Sequence, residues 1–251
     1  MAYVMMGRVE NVQNLYITGT FDEKKIRCDK KALQEALRLE RISLSWKTRD
    51  VCYLSIVSMN VRSLVKHQRD VLADYKVLQK DVICLQETWL YPEQEKNNSL
   101  ADYTSNFASV GKGKGLATFT KPPVEGNVSL VDIHTTFQLM STQVKGIMLI
   151  SVYISSNCSN LEAVVEFLSQ NSSDKCIIMG DFNFTPDSSN IITRQLQAWN
   201  IFQLIKSPTH KDGNILDHVY VSKSLSALVS ADIHYIYYSD HQGLFINIID
   251  K

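Results

Sequence analysis

The sequence carries no net charge: its 26 Lys and Arg are matched by 26 Asp and Glu. The basic excess that marks a chain built to coat nucleic acid is therefore missing, although an acidic site would mask basic residues placed elsewhere. The five cysteines, at positions 28, 52, 84, 158 and 176, contain no C-x-x-C pair. Three of them (Cys52, Cys84 and Cys176) lie in or beside apolar runs, and they read as reduced core thiols of an intracellular protein. No apolar run approaches the roughly 18 residues that a membrane helix needs. The N-terminus lacks the basic-then-apolar order of a secretory signal. No membrane partner is expected, and the N-x-S sequons at Asn97, Asn157 and Asn171 carry no glycosylation reading. Internal repeats, low-complexity tracts and Gly/Ser linkers are absent as well.

With 251 residues, 45% of them hydrophobic, the chain can bury a full core, and its length suits one large domain with an appendage. The appendage is the first stretch. Residues 1–45 hold eight Lys/Arg against six Asp/Glu, and Ala32, Leu33, Ala36, Leu37 and Leu39 predict an amphipathic helix from about Lys30 to Arg41. Residues 46–251 form the second unit, where strands alternate with helices.

"VCYLSIVSMN" predicts a strand stopping at Asn60. Leu64, Val71, Leu72, Tyr75 and Leu78 then recur at helical spacing, and "DVICLQE" is a strand closed by Glu87. A polar loop spans Tyr91 to Ser109, and "GKGKGLATFTK" passes through a flexible turn into another strand. "VSLVDI", "FQLMS" and "GIMLISVYI" continue the series. A helix follows with a capping box of Ser159 and Glu162, then the strand "CIIMGD", a helix from about Ser188 to Trp199, and the strands "LDHVYVS" and "GLFINII". These strands outnumber what one open sheet with alternating helices needs, so the expected fold is an α/β sandwich of two sheets packed face to face with flanking helices.

Polar residues stand where the apolar runs end: Asn60, Glu87, Tyr153, Asp181 with Asn183, Asp217, and Asp240 with His241. Any one of them alone would be a cap or turn residue, but a coherent series gathers an acidic site at one edge. Clustered carboxylates need a counter-charge, and oxygen donors of this kind suit Mg²⁺ or Mn²⁺. His210, His218 and His241 form no zinc pattern.

Six stretches, in this order and spacing, resemble the endonuclease/exonuclease/phosphatase superfamily, the fold of exonuclease III and DNase I: "SMNVRSL", "VICLQETWL", "SVYISSN", "IIMGDFNFTPDSSN", "GNILDHVYVS" and "YSDHQGLFI". The resemblance runs from about Val51 to Ile249 and implies Mg²⁺-dependent hydrolysis of phosphodiesters that leaves a 3′-hydroxyl. Carried over residue by residue, it implies that Glu87 is the principal metal ligand with Asn60 beside it. Asp181 and Asn183 would position the attacking water, and Tyr153 would contact the phosphate or the leaving oxygen. His241 would donate to a non-bridging oxygen, with Asp217 fixing its tautomer, and Asp240 would complete the metal or water shell. "QETWL" and "SPTHKDGNILDHVYVS" look like endonucleases of mobile elements, which nick chromosomal DNA. The same scaffold also serves phosphatases and lipid diesterases, and a decayed, DNA-binding remnant is the non-catalytic alternative. Ser155 and Ser156 stand where a proline is usual, and "GKGKGLATF" replaces a usual paired glycine.

"AYVMMGRVENVQNLYITGTFDEKKIRCDKKALQEALRL" is similar to the C-terminal end of the DNA helicases encoded by Helitron transposons, some of which carry such an endonuclease downstream. Arg8 falls where those helicases sense a nucleotide phosphate. No G-x-x-x-x-G-K-[ST] loop accompanies it, so the segment is expected to be a remnant without ATPase activity. The expectation is thus a monomeric, intracellular and nuclear enzyme acting on DNA, with the helicase part of the parent element as a candidate partner. Candidate DNA contacts are Arg62, Lys66, Lys112, Lys114 and Lys121 for the backbone, with Thr209 and His210 beside the site. Trp89 and Tyr91 are the candidates for stacking on or wedging a base. Phe184 is expected to pack beneath the site, and His67 and His134 to lie on surfaces without function.

Overall fold

The computed structural model describes residues 52–187 and 189–250, all within one unit, Val51–Lys251. Residues 1–45, with the expected helicase remnant, Arg8 and the helix expected over Lys30 to Arg41, lie outside the described residues. The chain runs β1 (Cys52–Asn60), α1 (Leu64–Ala73), α2 (Tyr75–Leu78), β2 (Val82–Gln86), a 3-10 segment (Pro92–Asn98), β3 (Thr104–Ala108), β4 (Leu116–Thr120), β5 (Gly126–Ile133), β6 (Phe137–Val144) and β7 (Ile147–Ile154). It continues through α3 (Leu161–Asn171), β8 (Cys176–Asp181), α4 (Ile191–Ala198), β9 (Ile201–Gln203), β10 (Asp217–Ser222), β11 (Val229–His234) and β12 (Gly243–Ile249).

Two six-stranded sheets result, ordered β11-β12-β1-β2-β4-β3 and β5-β6-β7-β8-β10-β9. Each holds one parallel pair, β1 with β2 and β7 with β8, joined by a helical crossover. β8 reads "CIIMGD" without alternation because both its faces are covered. Ile177 and Met179 pack with Leu54, Ile56, Leu149 and Ile246 between the sheets, while Ile178 turns to Val164, Leu168, Ile192 and Leu196 of α3 and α4. On the far face of the other sheet, Val57, Ile83 and Phe119 meet Leu64, Val71 and Val77 of α1 and α2. The two-sheet α/β sandwich with flanking helices is thus the observed architecture. Each fully buried aliphatic side chain contributes roughly 1.5–3 kcal/mol to it.

Several local expectations are corrected. The helix expected through Leu78 is two helices, because Asp74 ends α1 and its side chain accepts from Lys76 N and Val77 N to start α2. Leu72 and Tyr75 consequently face outward. Asn160, not Ser159, caps α3, and α4 begins at Ile191 with Asn190 as its cap. The polar stretch after Tyr91 contains a 3-10 segment and β3, and β9 and β11 also add to the expected strands. These three are edge strands with one neighbour each, so little of their sequence needs to be apolar. His67 is buried, stacked on Tyr238 and paired with Asp70, rather than lying on a surface. Cys84 and Cys176 are free, buried thiols, whereas Cys52 is free and exposed. No helix among the described residues is long and apolar enough to cross a membrane.

Gly180 is required by strand packing. At φ 140°, a Cβ there would stand 2.0 Å from the carbonyl oxygen of Val152 on the neighbouring β7. Gly180→Ala is expected to separate β7 from β8 and to destabilise the fold by more than about 3 kcal/mol, read as a lost or strongly lowered urea midpoint. A near-wild-type midpoint would contradict this packing.

His218 gives a second prediction. Its ring is buried, stacked 4.6 Å from Phe182, with Nδ1 3.2 Å from the Tyr220 hydroxyl and Nε2 3.3 Å from Ile215 O. Burial depresses its pKa to about 4. The unfolded chain, at about 6.5, therefore binds a proton that the folded chain refuses. The corresponding stability, on the order of 3 kcal/mol, is present above about pH 6.5 and lost as pH falls toward 4. Urea unfolding across this window should show that slope, and His218→Gln should flatten it.

Candidate active site

The carboxyl ends of the two parallel pairs deliver the polar residues to one edge. Asn60 ends β1 opposite Gln86, the last residue of β2, and Glu87 follows immediately. In the second sheet Tyr153 on β7 stands opposite Asp181, the last residue of β8, which also faces Asp217 at the start of β10. Arg62, Glu87, Trp89 and Asn183 all adopt positive φ, of 44°, 51°, 56° and 54°. Such a conformation is uncommon for residues with side chains and persists where the surroundings impose it. Here they do: Ser63 N donates to Glu87 O, Leu64 N to Thr88 O, Thr88 N to Gly115 O and Trp89 N to Lys114 O. Gly115 allows that approach, since a Cβ on it would lie 2.5 Å from Thr88 Oγ1. The "GKGKG" segment is thus bonded to the exit of β2.

One amide joins the sheets. Asn60 Nδ2 donates to Glu87 Oε1 at 3.0 Å and to Asp181 Oδ2 at 2.9 Å, while Asn60 Oδ1 accepts from Arg62 N at 3.1 Å. Asp181 is fully buried, and its Oδ1 accepts from Asn183 N at 2.9 Å. Asn183 Nδ2 donates to Asp181 Oδ2 at 3.1 Å and to Ile154 O at 2.9 Å, so a turn, not strand alternation, brings Asn183 to the site. His241 Nδ1 lies 2.9 Å from Asp217 Oδ2, and its Nε2 lies 4.0 Å from Asp181 Oδ2.

Burial pushes the Asp181 carboxyl well above the usual carboxylate range, and the neighbouring Asp217 adds to it. The His241 charge and the N–H groups of Asn60 and Asn183 pull only part of that back. Burial works to lower the His241 pKa, but the hydrogen bond and charge of Asp217, with Asp181 and Asp240 nearby, raise it to about 9. His241 is therefore cationic at neutral pH with Nδ1–H on Asp217, which leaves Nε2–H directed toward the Asp181 side. Burial, with Glu87 and Asp181 close by, raises the Tyr153 pKa, so its phenol stays protonated and donates to Gly113 O at 3.1 Å.

Asp240 belongs to a neighbouring charge cluster. Its Oδ2 pairs with Arg62 and lies 3.5 Å from His210 Nε2 and 3.6 Å from Lys211 Nζ. Partial burial would raise its pKa, but Arg62, His241 and His210 hold it below the usual range. Thr209 is fully buried, and its hydroxyl oxygen accepts from Leu216 N and Asp217 N; it is thus directed at the strand that carries Asp217 and away from solvent. Tyr91 is 48% exposed, Lys66 and Lys112 are exposed and Lys114 is partly so. Lys121 is not at this edge: it follows Thr120, which pairs with the first residue of β2, and its Nζ donates to Leu78 O at 3.1 Å. Trp89 is half-buried, and its indole Nε1–H donates to Glu87 Oε2 at 3.0 Å. Phe184 packs edge-on against Phe182 and His218.

Two positions escaped the sequence reading. Ser239 Oγ donates to Asn60 O at 2.8 Å and accepts from His241 N at 3.2 Å, tying the His241 turn to β1. Gln86 is fully buried, and its Nε2 donates to Ser58 Oγ and Ser151 Oγ, both at 3.2 Å, linking the sheets behind Asn60. A glutamine closing an otherwise apolar strand was the signal that could have found it.

The donor chemistry fits a divalent cation. Among the described residues, Asp181, Asp217 and His241 form one group of close ligand atoms, and His210, Asp240 and His241 another. Asp217 Oδ1 and Asp240 Oδ1 are buried with no hydrogen-bond partner among the described residues. Buried carboxylate oxygens without donors are the hard ligands that Mg²⁺ or Mn²⁺ favours, and Glu87 is in neither of these two groups.

Comparison with solved structures shows the same frame. An AP endonuclease from Archaeoglobus fulgidus superposes with a TM-score of 0.62 at 18% identity, covering 79% of this chain and 100% of that one. The 3′ phosphatase NExo from Neisseria, bound to a product DNA hairpin, gives 0.61 at 16% identity, with coverage of 79% and 100%. The endonuclease domain of TRAS1, a telomere-specific non-LTR retrotransposon, gives 0.59 at 13% identity, with coverage of 78% and 98%. Among curated proteins, none matches this chain by sequence. The sequence pattern of the Endonuclease/Exonuclease/phosphatase family matches residues 57–241, most of the chain, and runs from β1 to His241; the chain belongs to that family.

Proposed function

We propose that this chain is a divalent-metal-dependent DNA endonuclease that hydrolyses phosphodiester bonds to leave a 3′-hydroxyl and nicks target DNA for a transposable element. The observation that carries this reading is Asp181: a fully buried carboxylate held by Asn60 and Asn183 and faced by a cationic imidazole. A high-pKa carboxylate suits proton abstraction from water, and the opposed imidazolium suits the charge that develops on phosphate oxygens. The family assignment supports phosphoester chemistry, and the likeness to a retrotransposon endonuclease domain supports a mobile-element source.

Glu87, with Asn60 and Asp240, would hold the metal, which when bound neutralises phosphate charge. Asn183 orients the attacking water, and Asp181 accepts its proton at a carboxylate oxygen. His241 donates from Nε2–H to a non-bridging oxygen, and Asp217 holds Nδ1–H and keeps the ring charged. Tyr153 stays protonated and offers its hydroxyl to the phosphate or the leaving oxygen. Thr209 positions Asp217, and His210 positions Asp240. At the rim Arg62, Lys112 and Lys114 meet the DNA backbone and Tyr91 meets a base. Residues 46–251 form the catalytic domain in this reading, residues 1–45 are the helicase remnant, and the enzyme acts in the nucleus as a monomer.

The test is supercoiled plasmid incubated with protein and Mg²⁺. Nicked circles should form, and Asp181→Ala and His241→Ala should each slow nicking by about 10²–10⁴-fold. Plasmid left intact while a small phosphoester or lipid is turned over would replace this reading with that of a phosphatase or phosphodiesterase.

A pH prediction follows from the Asp217 pair. His241, raised to about 9, must be protonated to donate from Nε2, so activity should fall as pH rises through that value. Asp217→Asn removes the charge that raises it and should move the alkaline limb to lower pH by at least about one unit. An unmoved limb would rule out His241 as the titrating donor.

A further inference from the structure

Glu87 is only half-buried, and a glutamate so placed samples several rotamers unless something holds it. Two neutral N–H donors do so. Asn60 Nδ2 reaches Oε1 and the Trp89 indole Nε1 reaches Oε2, each at 3.0 Å. A carboxylate oxygen has two lone pairs, so each keeps one for a cation. The donors are uncharged, so they orient the carboxylate without cancelling the charge that would attract the metal, as a lysine or arginine would.

The arm that carries Trp89 is fixed as well. Its φ of 56° is imposed by Trp89 N on Lys114 O, and the next residue, Leu90, is fully buried and accepts from Gly111 N. The indole N–H therefore arrives at Glu87 from a rigid turn. Tyr91 is 48% exposed, whereas the polar edge of Trp89 is engaged by Glu87.

We infer that Trp89 is a positioning residue for Glu87, using its indole N–H to fix the carboxylate in the orientation that binds the divalent cation, and is not a stacking platform for DNA. This rests on the reading of Glu87 as a metal ligand.

The test counts bound Mn²⁺ by electron paramagnetic resonance on the full chain and measures nicking kinetics beside it. Trp89→Phe keeps the ring and removes the N–H. It should weaken Mn²⁺ binding about 10–100-fold and leave KM for DNA at saturating Mn²⁺ unchanged. Trp89→His, which retains a ring N–H, should restore part of the affinity and provides a second variant if the first does not fold, as judged by circular dichroism. Wild-type Mn²⁺ affinity in a folded Trp89→Phe, or a raised KM with unchanged Mn²⁺ affinity, would overturn the inference. If Glu87→Gln binds Mn²⁺ as tightly as the wild type while the wild type nicks DNA, the ligand reading beneath the inference falls and the endonuclease reading stands.

Discussion

The site depends on one amide. Asn60 Nδ2 is shared between Glu87 of the first sheet and Asp181 of the second, at 3.0 Å and 2.9 Å. Two carboxylates from separate sheets would otherwise repel across the seam, and the amide sets their spacing while adding no charge. Its own oxygen is anchored by Arg62 N, and its backbone carbonyl accepts from Ser239. The turn carrying His241 is therefore registered against the residue that registers the two acids. Behind it, Gln86 links β1 and β2 to β7, so a second layer of polar contacts joins the two sheets.

The site region is rich in charge of both signs although the chain as a whole is neutral. Four acids, Glu87, Asp181, Asp217 and Asp240, belong to the site region, and the cations Arg62, Lys112, Lys114 and Lys211 follow on exposed or partly exposed loops beside it. An even overall balance thus conceals a local concentration of charge. Within it the acids differ in state: Asp181, buried and beside another acid, resists ionisation, while Asp240, ringed by basic groups, ionises readily. Different environments make different chemical groups of the same side chain.

Much of this was legible from the sequence, for identifiable reasons. Strands covered on both faces read as unbroken apolar runs, and a polar residue ending such a run marks the edge where a site can form, as at Asn60, Glu87 and Asp181. Edge strands such as "TSNFA" and "VSADIH" do not give themselves away, because a single neighbour and a wet face require little of their side chains. Asp74 lies within the helical spacing that runs from Leu64 to Leu78 but breaks the helix in two, since its carboxylate competes with the helical backbone. The side-chain bonds themselves could not be read. Asn60 and Asp181 are 121 residues apart, and nothing local in "QETWL" says whether the tryptophan looks outward or back at Glu87.

The order of assembly follows from how β12 is placed. This strand pairs with β1, and the turn just before it carries Asp240 and His241, so residues from opposite ends of the described chain meet at the site. During synthesis, Asn60, Glu87 and Asp181 all emerge well before the histidine that completes the constellation. A nascent chain can hold both acidic centres before the imidazole is placed, which waits for β12 to dock on β1. The site thus draws on segments made far apart in time, and a partly folded molecule carries an incomplete set of these chemical groups.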